Sequence, residues 1–310
     1  MFISKIKSKD SGILLYGLTP PKSKTEPERV KEIAEKTMAR LYDLDIDALV
    51  VYDVQDESAR TPVERPFPFL SALDPFDFAR EHLHSLQIPK IIYRPASKFT
   101  QTELTNWVDE VVAHDFSLVF VGVPSPDFQP ITTLPEAYQI WNKHKESSVI
   151  GAIMIPERHA VLKDEDKRML DKMSSGVSYF VSQCVFNVEY AKAVVDDLTK
   201  TCMTQNLPLP TLIFTLTACG SAKTLHFMEW LGIHVPEELK AELLASENIL
   251  AKSVEVCLQI ADELIDYCSA KNIPFGFNIE SVAIRKEEIE ASVEMVNTIG
   301  EMLKSRGIRK

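Results

Sequence analysis

The chain has 310 residues, of which 45% are hydrophobic, and a formal net charge of -11. That hydrophobic fraction is enough for a large core, while the acidic balance argues against nucleic acid or an anionic membrane as the main partner, since both need a basic surface. Neither a secretory signal pattern nor an apolar run approaching the ~18 residues of a membrane span is present, so we expect a cytoplasmic protein.

Short apolar runs alternate with longer amphipathic segments along the chain. The runs predict strands at Gly12–Leu18, Ala48–Tyr52, Pro89–Tyr93, Ser117–Val123 (closed by Pro124), Val149–Ile155, Tyr179–Phe186, Thr211–Leu216 and Phe275–Ile279. The amphipathic segments predict helices at Glu26–Leu44, Asp74–Leu86, Thr100–Asp115, Leu134–Lys145, Glu189–Gln205, Ala222–Leu231 and Lys286–Lys304, with one crossover helix between strands five and six. An additional helix pair, near Pro236–Ala245 and Ile249–Lys271, precedes the last strand. Eight strand–helix units predict an α/β fold in which the strands close into a (β/α)8 TIM barrel, one domain over residues 1–310.

Two other features bear on the fold. The longest irregular stretch, Gln55–Phe69, has the length of a functional lid or partner surface, or is a solvated connection. The five cysteines are odd in number and form no CxxC pair, which is typical of buried free thiols in a reducing compartment.

Polar residues stand where several predicted strands end. Glu157 and His159 follow strand five, Gln183 lies within strand six, and Asn187 follows it. Because catalytic groups of a parallel barrel gather at the carboxyl ends of its strands, we expect these side chains to share one mouth. The alternatives are an ordinary surface ion pair between Glu157 and Arg158, and an internal hydrogen-bond network around Gln183.

Further candidates follow the other strands. Asp53 and Tyr52 end strand two, and Asn278 and Glu280 end strand eight as mouth residues of unknown role. Gly220 and Ser221 begin the helix after strand seven, where they would bind phosphate or simply cap the helix through Ser221. The acidic group around Asp53 lacks histidine partners, so we predict no metal site.

Several of these motifs together resemble the methylenetetrahydrofolate reductase family over almost the whole chain. The matching pieces are Pro20-Pro21-Lys22, Pro156-Glu157-Arg158-His159, Lys172 to Gly176, Ser182 to Val188, and Gly232 to Leu239. The resemblance implies an enzyme that reduces 5,10-methylenetetrahydrofolate to 5-methyltetrahydrofolate with NAD(P)H, and a small-molecule folate as its partner. It also leaves room for a homo-oligomer or a partner subunit.

The resemblance also implies roles for individual residues. Gln183 matches the family's folate-binding glutamine, and we add Phe186, Thr217 and Asn278 as substrate-binding candidates. His159 and Lys172 match positions that contact the flavin, Glu165 falls near an acidic position of that site, and Tyr52 is a further cofactor-binding candidate.

Two departures from the family pattern concern the chemistry itself. Gly17 stands where the family has a glutamate that assists proton transfer, so Glu157 and Asp53 become the candidate catalytic acids. The run Phe120 to Pro126 replaces the family's RGD flavin motif and resembles a divergent branch associated with flavin-independent reduction. An enzyme with or without FAD, and a catalytically inactive folate-binding subunit or regulator of one-carbon metabolism, therefore remain open. A lyase acting on a phosphorylated substrate at Gly220 and Ser221 is a weaker third alternative.

Overall fold

The apolar runs form eight parallel strands that close into one barrel in the computed structural model, which describes residues 2–58, 61–123, 125 and 127–310. Each strand pairs with its neighbours in the chain, and β1 pairs with β8 to complete the ring. The predicted (β/α)8 barrel is thereby confirmed. The strands are β1 Ile13–Leu18, β2 Ala48–Val51, β3 Lys90–Pro95, β4 Ser117–Val121, β5 Ile150–Met154, β6 Tyr179–Cys184, β7 Thr211–Thr217 and β8 Phe275–Glu280.

Helices surround the barrel. They are α1 Phe2–Ser8, α2 Pro27–Leu41, α3 Pro75–His82, α4 Gln101–Ala113, α5 Leu134–Trp141, α6 Pro156–Leu162, α7 Glu165–Ser174, α8 Val188–Gln205, α9 Ala222–Trp230, α10 Glu237–Ala245, α11 Ile249–Ala270 and α12 Lys286–Ser305. The additional pair before the last strand is confirmed as α10 and α11. The single crossover helix predicted between strands five and six is wrong: Lys163, in the left-handed conformation, ends α6, and a separate helix α7 follows.

The core has two parts, as expected for strands that are covered on both faces. Inward-facing side chains of the strands, among them Leu15, Val50 and Val181, fill the barrel, while a larger cluster lies between the strands and the helices. Helix α1, which the sequence analysis did not predict, joins the inner part through Phe2 and Ile6. Phe2 contacts the ring of Tyr179 edge-on at 5.4 Å between centroids, near the amino end of β6, so α1 covers that end of the barrel.

The expected free thiols are confirmed, because all five cysteines are unpaired and buried. Within the described ranges, no helix combines the length and the apolar character that crossing a membrane requires.

The opposite end of the barrel, where the strands reach their carboxyl ends, carries the long loop after β2. The second half of this loop is anchored: Leu73 N–H donates to the Pro21 carbonyl, and the Trp230 indole N–H donates to the Val63 carbonyl. The guanidinium of Arg65 lies over the rings of Phe227 and Trp230, 4.9 and 5.3 Å from their centroids. Residues 61–73 of the loop are therefore held against the segment after β1 and against α9, while Ala59, Arg60 and Pro124 lie outside the described residues.

Candidate functional site

A hydrogen-bonded cluster of polar side chains occupies the centre of the mouth. The Asn278 amide donates to the Tyr52 hydroxyl at 2.8 Å and to Thr215 Oγ1 at 3.3 Å, and the Tyr52 hydroxyl is hydrogen-bonded to Glu280. The Cys184 thiol donates to Glu280 Oε1 at 3.4 Å. Tyr52, directly after β2, Cys184 of β6 and Asn278 of β8 thus converge on one carboxyl group, that of Glu280.

Strand register explains why this cluster fits here. Glu280 pairs with Gly17 on β1 and with Thr217 on β7, and it shares a strand face with Asn278 two residues earlier. A Cβ atom on Gly17 would lie 2.8 Å from Tyr52 Cε2 and 3.2 Å from Glu280 Cβ. Glycine is needed at position 17 because the neighbouring Tyr52 and Glu280 side chains fill that space.

The electrostatics of this cluster favour a protonated carboxyl. Burial raises the pKa of Glu280, and its hydrogen bonds with Tyr52, Cys184 and Asn278 oppose that change. Burial, together with the carboxylate, also raises the pKa of Tyr52 well above its ordinary value, so this hydroxyl stays neutral and able to donate.

A second cluster, formed by Glu157, Gln183 and Asn187, contacts the segment between α9 and α10. The Gln183 amide donates to the Leu231 carbonyl at 3.2 Å, the His234 backbone N–H donates to the Glu157 carboxylate, and Asn187 Nδ2 lies 3.3 Å from His234 Nδ1. Burial raises the pKa of Glu157 to about 7, and its Oε2 is buried without a partner in the part of the chain that the structure describes. Glu157 and Gln183 therefore share this rim, as expected, and the proposed ion pair of Glu157 with Arg158 is absent because Arg158 binds Glu165 instead.

A bulge in β6 aims Gln183 at that segment. The register with β7 shifts between Val181 and Cys184. There the Ser182 hydroxyl accepts from the Thr215 backbone N–H at 2.9 Å and donates to the Gln183 carbonyl at 2.6 Å. A bulge redirects side chains, and bulges are common beside functional sites.

His159 does not belong to the mouth, contrary to the prediction. Its side chain is fully buried, and its Nε2 lies 3.0 Å from Asp197 Oδ2 on α8, with Asp166 of α7 3.8 Å from Nδ1. Helix α6 begins directly at Pro156, so His159, three residues on, is turned towards the layer of helices.

Two other residues predicted to hold a cofactor have structural partners. Glu165 is fully buried and accepts from the Ile155 backbone N–H at 3.0 Å and from Arg158. The Lys172 ammonium donates to the Ile153 carbonyl at 2.8 Å, close to the Phe180 ring, and burial lowers its pKa to about 8. Both belong to the junction of α7 with β5 and β6. Of the four predicted cofactor ligands, only Tyr52 lies at the centre of the mouth.

The remaining predicted residues divide in the same way. Asp53 accepts from Arg94 at 3.0 Å, and Arg94 also binds Asp74 and lies over the Trp107 ring at 4.3 Å, so Asp53 is one side of an ion pair rather than a free acid. Phe186 is buried in the cluster between the strands and the helices. Thr217 and Asn278 face the mouth beside Glu280.

The predicted phosphate site is occupied by the protein itself. The buried Glu288 carboxylate accepts from the Gly220 backbone N–H at 2.7 Å, and the Ser221 hydroxyl accepts from the Thr224 N–H at 3.1 Å as the helix cap. A carboxylate where phosphate would bind repels an anion, so the capping alternative is correct and the phosphate alternative is wrong.

Sequence-based prediction missed Gln55 as a contributor to the mouth and gave Glu280 a place there without a role. Gln55 has only 7% of its surface exposed; its Nε2 donates to the Gly122 carbonyl at 3.4 Å, and its Oε1 finds no partner within the described ranges. Glu280 was left without a role, although its spacing of two from Asn278 on one strand already placed both side chains on the same face.

The solved structures similar to this chain include one of high sequence identity. It is an uncharacterized protein from Clostridium thermocellum that binds two copies of 5-methyl-5,6,7,8-tetrahydrofolic acid; it is 41% identical, with 97% of this chain and 100% of that chain covered and a TM-score of 0.86. A dihydropteroate synthase from Xanthomonas albilineans is 13% identical, covers 96% of this chain and 94% of that chain, and has a TM-score of 0.48, too low to support any argument. No protein-family model and no curated protein matches the chain.

Proposed function

Because this chain belongs to the same family as the methyltetrahydrofolate-binding protein of Clostridium thermocellum, we propose that its barrel mouth binds a reduced folate. The observation that carries the proposal is a set of buried polar atoms at the mouth that find no partner within the described ranges: Gln55 Oε1, Thr217 Oγ1 and Asn278 Oδ1. Buried acceptors without partners cost free energy, about 1–3 kcal/mol each. The pterin ring of a folate offers several N–H donors along one edge, which would satisfy such oxygens.

The reaction we propose is the NAD(P)H-dependent reduction of 5,10-methylenetetrahydrofolate to 5-methyltetrahydrofolate. The product of this reaction is the compound that the Clostridium thermocellum protein binds. When bound, the reduced nicotinamide would supply the hydride to the methylene carbon. The Oε1 of Gln55, which follows β2 and is buried without a partner among the described residues, would accept from the N–H donors of the nicotinamide carboxamide.

The residues do not fit a flavin in the same way. His159, Glu165 and Lys172, which the resemblance assigns to the flavin, contact Asp197, Arg158 and the Ile153 carbonyl respectively. Their polar groups belong to the layer of helices, so the proposed reaction does not use FAD. The proposed enzyme passes hydride directly from nicotinamide to folate, and the barrel supplies orientation.

Calorimetric titration with 5-methyltetrahydrofolate tests the binding, and NAD(P)H oxidation on addition of 5,10-methylenetetrahydrofolate tests the reaction. Asn278→Ala and Gln183→Ala should each weaken folate binding at least about tenfold, because each removes an amide at the mouth. Gln205→Ala changes an exposed amide at the end of α8, far from the mouth, and is the matched control.

The outcomes separate the candidates. Binding with turnover, and no flavin absorption in the purified protein, supports the proposed enzyme. Binding without turnover under any nicotinamide supports the alternative of a folate-binding subunit. A folded protein with no affinity for either folate overturns the proposal as a whole.

A further inference from the structure

Reduction of the methylene group requires a proton as well as a hydride. The methylene carbon bridges N5 and N10 of the folate, and its bond to N10 must break. The electron pair of that bond stays on N10, which is a poor leaving group unless it is protonated as the bond breaks. A proton donor at the mouth is therefore a chemical requirement of the proposed reaction.

Asp53, Glu157 and Glu280 are the candidate acids among the described residues, and the partners of their carboxyl groups differ. Asp53 is held by Arg94, which keeps its carboxylate paired. Glu157 accepts a backbone N–H from His234 at the rim, beneath the segment between α9 and α10. Glu280 lies among the inward-facing residues of β1, β7 and β8, and its side-chain partners are Tyr52, Cys184 and Asn278, all uncharged groups.

We infer that Glu280 is the general acid of this site, an inference that rests on the proposed reduction of a folate. In the step that we assign to it, the Glu280 carboxyl gives its proton to N10 while the bond between N10 and the methylene carbon breaks. The carbon, still bonded to N5, accepts the hydride from the reduced nicotinamide and becomes the methyl group. The oxidised nicotinamide leaves, and the Glu280 carboxylate regains a proton from solvent, so atoms and charge balance.

The surroundings of Glu280 suit both states of this carboxyl. Titratable groups that interact with it are Tyr52 after β2, Tyr93 of β3 and Cys184 of β6, whereas the Tyr16 side chain of β1 is turned towards α12, where its hydroxyl lies 3.0 Å from Ser292 Oγ. Within the described ranges, no lysine or arginine forms an ion pair with Glu280. Without a cation nearby, burial raises the pKa of Glu280 and so favours the protonated acid before the reaction. The donors Tyr52 and Cys184 then stabilise the carboxylate that the transfer leaves behind.

The arrangement also gives Gly17 and Tyr52 defined tasks. Gly17, the register partner of Glu280, leaves the space that the Tyr52 ring occupies. Because Asn278 donates to the Tyr52 hydroxyl, the hydroxyl proton is free to point at Glu280. Tyr52 is therefore a positioning residue for the acid, and Tyr52→Phe should change the pH dependence of turnover while leaving the affinity for folate nearly unchanged.

The decisive experiment compares Glu280→Gln, Glu280→Asp and Glu157→Gln with the wild-type chain, and uses the exposed Glu301→Gln as the control. Turnover with 5,10-methylenetetrahydrofolate is measured across pH, and the Kd for 5-methyltetrahydrofolate is measured by calorimetry as evidence that each variant is folded. Glu280→Gln should lower kcat at least about 100-fold and leave Kd within about threefold. In the wild type, kcat should fall as pH rises through the pKa of the acid, and this limb should be absent from the residual rate of Glu280→Gln.

Glu280→Asp keeps an acid and should lose less activity than Glu280→Gln, which keeps the test valid if the glutamine variant fails to fold. Wild-type turnover that persists in Glu280→Gln, or a pH limb that disappears in Glu157→Gln instead, would overturn the assignment of Glu280 alone. A wild-type protein that binds folate but never turns over would overturn the proposed reaction and this inference with it.

Discussion

The tight contact at Gly17 gives a direct test of the mouth, through the substitution Gly17→Ala. The added methyl group would lie 2.8 Å from Tyr52 Cε2, 2.9 Å from the Tyr52 hydroxyl and 3.2 Å from Glu280 Cβ. The Tyr52 ring has little room to retreat, because it packs edge-on against Tyr93 with 4.8 Å between centroids. The substitution should therefore displace Tyr52 from Asn278 and Glu280.

The expected magnitude follows from three terms. Overpacking costs about 1–3 kcal/mol, and a lost hydrogen bond to Tyr52 costs about 1 kcal/mol more. Replacing glycine restricts the unfolded chain and offsets about 0.4–1 kcal/mol of this. We expect a net loss of about 1–3 kcal/mol in the free energy of unfolding, measured by urea denaturation.

Two controls make this result specific. Gly300→Ala adds a methyl group within α12, where the nearest atom outside the helix backbone is Leu14 Cδ2 at 3.6 Å, and should stabilise the protein by about 0.5–1 kcal/mol. In a Tyr52→Ala background, Gly17→Ala should cost much less, since the ring is gone. Equal losses with and without the Tyr52 ring, or no loss at all, would refute the explanation based on space.

Three further predictions concern buried polar groups. Burial raises the pKa of Glu157 to about 7 from 4.5. The protonated carboxyl therefore makes its full contribution to the free energy of unfolding below pH 4.5, and this contribution is lost as the pH rises through about 7. Glu157→Gln should remove up to about 3 kcal/mol of this pH-dependent loss of stability. Urea denaturation at mildly acid and mildly alkaline pH measures it, and a pH profile of stability that is the same in Glu157→Gln and wild type would contradict the prediction. Glu288→Ala leaves the Gly220 N–H without its acceptor and should cost about 1–3 kcal/mol, whereas the exposed Glu290→Ala should cost under about 0.5 kcal/mol, and equal losses would argue against the assigned contact. Lys172→Met should leave the calorimetric Kd for 5-methyltetrahydrofolate unchanged, because Lys172 binds a backbone carbonyl outside the mouth; a clear loss of affinity would restore it as a site residue.

The sequence predicts the barrel because strands buried on both faces are continuous apolar runs, which stand out from helices with a polar face. The same rule fails for short helices whose burial depends on tertiary contacts. Helix α1 has only seven residues, and its Phe2 and Ile6 are buried because the barrel has an open end for them to cover. The break between α6 and α7 depends on Lys163, which adopts the left-handed backbone conformation. A glycine would have indicated such a position in the sequence, but a lysine does not.

The residues of the candidate site can be predicted from the sequence only where they lie close to the end of a predicted strand. Residues within three positions of a strand end, such as Glu157, Asn278 and Tyr52, do reach the rim or the centre of the mouth. His159 is one helical turn beyond its strand and faces Asp197 instead, because the helix starts without an intervening loop. The direction of Gln183 depends on the β6 bulge, whose cause is a serine side chain replacing a backbone contact, a feature that periodicity does not reveal.

Closure of the barrel explains how Gly17 on β1 and Glu280 on β8 come to share one part of the mouth. In sequence, Gly17 and Glu280 are far apart, and the missing carboxylate on β1 suggests a lost function. In the ring, β1 and β8 are hydrogen-bonded neighbours and these two residues are in register, so a carboxyl on either strand reaches the same part of the mouth. A glycine on one strand also provides the space that the side chains of its neighbours need. Gly17 and Glu280 therefore form one structural arrangement, and a second carboxyl introduced by Gly17→Glu should disrupt the mouth rather than improve it.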